Sequence, residues 1–328
     1  MARNRYVEMG PSDNFDGLHF RNPTETAPDA SLLDVLRWRW TSKPAVWPKS
    51  VPVTPAVPEA RVEGLRATMV GHATLLIQVA GLNVLTDPVW SVNAGPWTLG
   101  PKRAMAPGIA FDDLPPIDIV LLSHNHYDHL DVRTLARLVA RDNPLIVTPY
   151  GNDTIVRAAA PAARVLTGGW WGQFELDGPG GQAAVVSIVP ANHWSARGVR
   201  DRRMALWGGF VLEVRGRRIY FAGDTGYGSG AIFRDIAARF PAPELALIPI
   251  GAYAPRWFMA PQHIDPFEAV QVMQDVGAGR AVGIHWGTFQ LTDEAREEPA
   301  EKLAEALLAA KIDPARFVAA APGDVFDV

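Results

Sequence analysis

The chain has 328 residues, 48% of them hydrophobic, with 31 Lys and Arg against 35 Asp and Glu and no Cys. That length and apolar content exclude disorder and allow two domains or one large domain with a well-filled core, and a small negative net charge without a basic stripe leaves nucleic acid out of the expected partners. The absence of Cys excludes disulfides, thiolate metal sites, iron–sulfur clusters and cysteine nucleophiles, so any metal has to be held by His, Asp or Glu.

In chain order, Met1-Ala2-Arg3-Asn4-Arg5-Tyr6 leads into charged and polar residues rather than an apolar core, and nowhere do 18 apolar residues run together. A cytoplasmic protein is expected, able to meet the inner face of a membrane only peripherally. Residues 1–65 are rich in Pro and polar turns, with one helical stretch over 32–40 ahead of Pro48, Pro52, Pro55 and Pro58. They read as an N-terminal arm packing on a body formed by residues 66–328. A strand over 68–79, a turn at Ala80-Gly81 and a strand over 82–86, ending in Asp87-Pro88, predict a β-hairpin. The β-branched run 117–122 predicts a buried strand, followed by a His-rich polar loop and helical spacing at Val132, Leu135, Leu138 and Val139. Further strands are predicted over 183–189, 210–214, 218–222, 245–250 and 281–285, and helices over 232–240, 266–276 and 299–310. The helix at 266 has a strong start: Asp265-Pro266-Phe267-Glu268 offers an N-cap, Pro at the first helical position and Glu two residues further on. Strands first, then strands mixed with helices, argue for an α/β protein of packed sheets flanked by helices.

The chemistry concentrates in Ser123-His124-Asn125-His126-Tyr127-Asp128-His129, directly after a buried strand. In an extended loop His124 and His126 project to one side, and a following bend brings Asp128 and His129 to a second point, so one loop can serve two metals. His193, Asp224 and His285 each lie at or just past a predicted strand end, where sites are assembled. Alone, each is more often a hydrogen-bonded core or turn residue than a ligand; the set is far stronger than its members.

Together these residues resemble the metallo-β-lactamase superfamily. The resemblance implies an αββα sandwich, two mixed β-sheets flanked by helices, holding two Zn2+ per chain. It implies His124, His126 and His193 on one zinc, Asp128, His129 and His285 on the other, and Asp224 bridging both with a hydroxide, Asp128 and Asp224 thus belonging to the catalytic apparatus. Within the superfamily the chain is similar to the N-acyl-phosphatidylethanolamine-hydrolysing phospholipase D group. The motifs that carry this are Gly71-His72-Ala73-Thr74, Leu85-Thr86-Asp87-Pro88, Gly100-Pro101-Lys102-Arg103, residues 123–131, His193-Trp194, residues 221–227, residues 248–259 and His285-Trp286-Gly287-Thr288-Phe289. Ala254 and Gly169 depart from acidic residues usual in that group. The likeness implies a phospholipase D-type phosphodiesterase in which a bridging hydroxide attacks phosphorus and N-acylethanolamine and phosphatidate are released. It also implies a phospholipid substrate taken from a membrane surface, and a homodimer. The alternative on the same metal core is hydrolysis of a soluble lactone or phosphodiester.

Around this core, Asp87 is placed either to orient a ligating imidazole or to serve as an Asp-Pro turn residue. His72 and His263 are candidate catalytic groups that contact phosphate or protonate the leaving alkoxide. Tyr253, Arg256 and Trp257 fall in a stretch suited to gripping a phosphate and lining an acyl-chain groove, although such a stretch is as often ordinary core and a structural ion pair at Arg256 would look the same in sequence. Arg37, Trp38, Arg39 and Trp40 suit a lipid boundary, and equally a helix packed on the body or on a second subunit.

Overall fold

A computed structural model describes residues 3–23, 31–178 and 181–328. Two seven-stranded sheets stack face to face. The first runs in the order β14-β1-β2-β3-β4-β5-β6, the second β13-β12-β11-β10-β9-β8-β7. In the first, β1 (Leu65–Gly71), β2 (Thr74–Val79) and β3 (Leu82–Thr86) are antiparallel, with β14 (Val325–Asp327) antiparallel on the β1 edge; β4 (Ile119–Leu121), β5 (Leu145–Pro149) and β6 (Arg164–Gly168) continue parallel to β3. The second repeats the pattern: β7 (Gln173–Asp177), β8 (Ala183–Val189), β9 (Gly209–Val214) and β10 (Arg217–Phe221) are antiparallel, then β11 (Leu245–Pro249), β12 (Arg280–Ile284) and β13 (Phe317–Ala319) follow parallel to β10.

Burial explains the layers. The inner faces of both sheets meet in one apolar cluster that includes Met69, Leu75, Ile77, Val186, Phe210, Leu247 and Ile284. On the outer face of the first sheet, α2 (Val132–Arg141) and α3 (Asn152–Ala159) bury Leu135, Leu138, Val139 and Val156. On the outer face of the second, α4 (Ala231–Arg239), α6 (Pro266–Asp275) and α7 (Glu298–Ala310) bury Phe233, Val272, Leu303 and Leu307. Each such side chain contributes roughly 1.5–3 kcal/mol relative to exposure. With α1 (Leu32–Thr41) and the short α5 (Arg256–Met259), the described residues form two mixed sheets flanked by seven helices.

One expected element differs, and several observed ones were not expected. The strand expected over 68–79 is two strands, because Gly71 (φ 144°) and His72 (φ 58°) reverse the chain in left-handed backbone. That break pulls His72 out of the sheet and into the site. Strands β5, β6, β7, β13 and β14 and helices α3 and α5 were not expected; β13 and β14 are three residues each, too few for alternation to register.

In the arm, Asn4 donates to the carbonyls of Leu18 and Met204 (2.7 and 2.8 Å), and Trp47 donates to the Glu294 carbonyl (3.0 Å). Ser42 hydrogen-bonds Asp293. No helix among the described residues is long and apolar enough to cross a membrane.

Candidate metal centre

The site is assembled along the carboxyl ends of the parallel strands of both sheets, where backbone leaves the ladder and side chains converge. Asp87 follows β3, Ser123 and His124 follow β4, Asp224 follows β10 and His285 follows β12. His72 sits at the β1–β2 turn and His193 follows β8. His72, Asp87 (φ 30°) and His285 (φ 63°) are all in left-handed backbone. Such conformations cost of order 1–3 kcal/mol each and persist where surrounding structure imposes them. Asp224 follows Gly223 (φ 62°), where any Cβ would meet the Gly208 carbonyl and Ser123.

Seven of the chain's eight histidines converge here, and only His19, in the arm, does not. One cluster contains His124, His126, His193 and Asp224; a second contains His72, Asp128, His129 and His285. Within each, one donor atom per residue lies within 4.8 Å of every other. Asp224 Oδ2 spans both clusters, 3.6 Å from His193 Nε2, 3.9 Å from His124 Nε2 and 3.2 Å from both His129 Nε2 and His285 Nε2.

Hydrogen bonds behind the rings decide which nitrogens face inward. The Asp87 carboxylate accepts from Ser123 N (2.7 Å) and Ser123 Oγ (2.6 Å), and lies 2.6 Å from His129 Nδ1. His129 Nδ1 therefore carries the proton and Nε2 presents its lone pair. Ser123 Oγ spends its proton on Asp87, so at 2.9 Å it accepts from His124 Nδ1 and leaves His124 Nε2 bare. His193 Nδ1 donates to the Gln262 carbonyl (3.0 Å), which leaves Nε2 bare as well. His124 Nε2 and His193 Nε2 both point at His126 Nδ1, at 2.9 and 3.2 Å. A single His126 proton there satisfies at most one of them. His129 Nε2 and His285 Nε2 face each other at 3.1 Å, and Asp224 Oδ1 and His126 Nε2 are buried with no partner. Facing lone pairs beside orphaned acceptors fit a cation, and an all-nitrogen-and-oxygen donor set suits zinc and similar divalent ions.

The electrostatics of the two clusters differ. Burial pushes His124 and His193 well below the usual imidazole range, and His126 to about 4, so all three are neutral donors. Burial also opposes charge on His129 and His285, but Asp224 and its neighbouring carboxylate Asp128 outweigh it, holding His129 well above the usual range and His285 at about 9, so without a cation both rings would carry the charge and a bound metal would take the place of the proton on Nε2. Burial works against charge on Asp128 and Asp224 too, yet His129 and His285 keep both carboxylates well below the usual range.

Every expected ligand is thus brought together, and His72 joins them, its Nε2 3.0 Å from Asp128 Oδ2 and its ring 4.0 Å from that of His285. His263 groups with Asp224 and His285 and lines the adjoining cavity. Burial drives His72 to about 3 and His263 to about 4, so both are neutral.

That cavity holds about 410 Å3, with His126, Asp128, Asp224 and His263 at the metal end and Val35, Trp38, Phe258, Met259 and Leu291 among its apolar walls. Trp38 of α1 stacks on Phe258 at 4.9 Å. Three expected substrate contacts lie elsewhere. Arg256 pairs with Glu268 (2.7 Å) and Asp265 (3.4 Å) and donates to the His263 carbonyl. Tyr253 donates to Glu298 (2.8 Å), and Trp257 is half-exposed beneath Arg37. The arginine that does line the cavity is Arg202, 3.9 Å over the Trp194 ring, and Trp194 in turn meets the His126 ring edge-on. Nothing in the polar run around Arg202 distinguishes it in the sequence.

Residues 82–286 match the beta-lactamase superfamily domain. The chain is 38% identical over 272 residues to N-acyl-phosphatidylethanolamine-hydrolyzing phospholipase D 1 of Caenorhabditis elegans, an alignment covering 80% of this chain and 76% of the relative. It is 38% identical over 238 residues to the mitochondrial N-acyl-phosphatidylethanolamine-hydrolyzing phospholipase D of Saccharomyces cerevisiae, covering 72% of this chain and 50% of that protein. An isothiocyanate hydrolase from Delia radicum gut bacteria shares the fold, with TM-score 0.61 and 19% identity over 80% of this chain and 98% of its own.

Proposed function

The chain belongs to the metallo-β-lactamase superfamily and is a metal-dependent hydrolase related to the N-acyl-phosphatidylethanolamine-hydrolysing phospholipases D, and from that premise we propose that it cleaves a membrane phosphodiester of that kind. Water adds to phosphorus, the bond from phosphorus to the N-acylethanolamine oxygen breaks, and N-acylethanolamine and phosphatidate are the products. The observation that carries this reading is the joining of two donor clusters to an apolar-walled cavity.

We assign one Zn2+ to His124, His126 and His193, a second to Asp128, His129 and His285, and Asp224 to both. Bound there, the pair supplies a water ionised at neutral pH and a counter-charge for the phosphoryl oxygens. The chain's own residues do the rest. Asp87 and Ser123 lock the inward lone pairs of His129 and His124. Neutral His263, at the cavity wall, donates a hydrogen bond to a phosphoryl oxygen rather than releasing a proton. Arg202 brings a positive charge to the same wall, and Trp38, Phe258 and Leu291 keep water off the reacting centre and take up an acyl chain.

A membrane source for the substrate is supported by the surface around the mouth. Trp40 is 91% exposed, Trp97 78% and Leu33 76%, with Leu36, Val92 and Leu99 also exposed. Val35 and Trp38 on the same helix, and Ala94 in the same loop as Val92 and Trp97, line the cavity itself. Large exposed apolar groups on the helix and loop that also line the cavity, with Arg37 and Arg39 among them, suit a headgroup boundary.

The test is turnover of N-acyl-phosphatidylethanolamine in mixed micelles by zinc-loaded protein in oxygen-18 water, read by mass spectrometry. Label in phosphatidate with unlabelled N-acylethanolamine is the expected result. No turnover by metal-replete protein would overturn the lipid assignment and move the substrate to a soluble ester or phosphodiester.

A further inference from the structure

We infer that Arg197 is a positioning residue that holds the metal-ligand loop in shape, and that Asp201 and Tyr6 of the arm hold Arg197 in turn. The inference rests on the metal assignment above and concerns a residue outside the ligand set. Arg197 Nη1 donates to two carbonyls at once, Asn125 at 3.0 Å and Leu130 at 2.9 Å. Those two residues bracket His126, Tyr127, Asp128 and His129, so one nitrogen pins both ends of the segment that carries three proposed ligands. The guanidinium also lies 3.9 Å over the Tyr127 ring, and the Tyr127 hydroxyl donates back to the Arg197 carbonyl (3.0 Å). Loop and clamp therefore hold each other from two sides.

The clamp is itself anchored. Buried Asp201 accepts from the backbone N–H groups of Arg197 (3.2 Å) and Gly198 (2.8 Å) and from the Tyr6 hydroxyl (2.6 Å). Tyr6 is fixed by Asn4, whose side-chain oxygen accepts from Tyr6 N and Val7 N while its amide donates to Leu18 and Met204. A continuous set of hydrogen bonds thus runs from residue 4 to the ligand loop. Inside the loop itself only two backbone bonds close the turn, from His129 N and Leu130 N to the His126 carbonyl. Without Arg197 those and the side-chain bonds of His129 to Asp87 and of Asp128 to His72 would be left to hold the converging donors.

The full-length protein tests this with Zn2+ affinity, measured by competition with a chromophoric chelator, and with the visible absorption of the Co2+ form, which reports ligand number and geometry. Arg197→Ala is expected to weaken Zn2+ binding by about 10–100-fold and to alter the Co2+ spectrum. Arg197→Lys is expected to recover most of the affinity, because both bonds leave a single nitrogen and an ammonium has three donors there. The control is Leu307→Ala, a cavity in α7 far from the loop, which destabilises the fold without touching the clamp. Wild-type affinity in Arg197→Ala, an equal loss in Leu307→Ala, or no recovery with lysine would each overturn the inference. If Arg197→Ala does not fold, Tyr127→Phe is read in its place, with a severalfold loss expected and an unchanged affinity counting against the clamp. Failure of the wild-type chain to bind Zn2+ or Co2+ would instead strike the metal assignment itself.

Discussion

Asp87 makes more contacts to the site than any chemistry it performs would require. It accepts from Ser123 N, Ser123 Oγ and His129 Nδ1 in a setting with no access to water, and burial raises its own pKa against those partners. Asp87→Ala strands three donors at about 1–3 kcal/mol apiece and frees two ligand rings to rotate. A drop in zinc affinity of roughly 10–100-fold is expected, measured by chelator competition. Removing ligands directly has a sharper result: His124→Ala and Asp224→Asn are expected to stay folded by circular dichroism, to lose metal by elemental analysis and to lose hydrolysis. Folded, metal-free variants that still turn over lipid at full rate would falsify the site. The ligand types were legible because donor chemistry belongs to the residue, whatever its neighbours. Which arginine lines the cavity was not. Arg256 and Arg202 carry the same charge, and only the N-terminus of α6, which places Asp265 and Glu268 against Arg256, decides that the other one faces the cavity.

At the scale of elements, α1 shows how a short helix is kept. Ser31 and Asp34 form a reciprocal capping box, but ten residues alone make a marginal helix in water. Val35 and Trp38 at the cavity wall supply the packing. Trp38→Ala is expected to raise KM for long-chain lipid more than for short-chain lipid, with metal content unchanged; an equal effect at every acyl length would remove α1 from substrate binding. At α6 the capping box of Asp265 and Glu268 is present as its sequence predicts. Asp265→Ala should cost about 0.5–2 kcal/mol, read as a melting temperature lower by about 1–3 °C. Long amphipathic or β-branched segments such as α7, β8 and β12 were legible because many residues report one periodicity. The reversal at His72 was not, because a residue in left-handed backbone is chosen by its tertiary surroundings: Thr288 Oγ1 accepts from its N–H, and the His285 N–H donates to its carbonyl.

For the molecule as a whole, the site is a seam between two sheets, so metal binding and global stability are linked. A ligand that binds only the folded chain stabilises it by about 4 kcal/mol at a thousand times its Kd. Chelation is therefore expected to lower the melting temperature of wild type, while the folded Asp224→Asn variant, already metal-free, shows no further change. The exposed apolar groups about the mouth make a second prediction. Trp40→Glu should weaken co-sedimentation with phospholipid vesicles at least several-fold while leaving zinc content and micellar turnover intact, since Trp40 points away from the body. Vesicle binding that survives that substitution would place the lipid contact elsewhere.

Local pattern was enough to determine that this chain is an α/β protein of packed sheets and that a loop of His and Asp after a buried strand is its chemical centre, because periodicity and donor type are properties of neighbouring residues. Pairing was decided only in three dimensions. Residues as distant as His72, His193 and His285 meet because two sheets of one pattern present their strand ends to a common edge. Which nitrogen each ring presents, which arginine faces the cavity and which residue of the arm braces the loop follow from hydrogen bonds between segments up to about two hundred residues apart, and a contact of that range leaves no trace in local spacing.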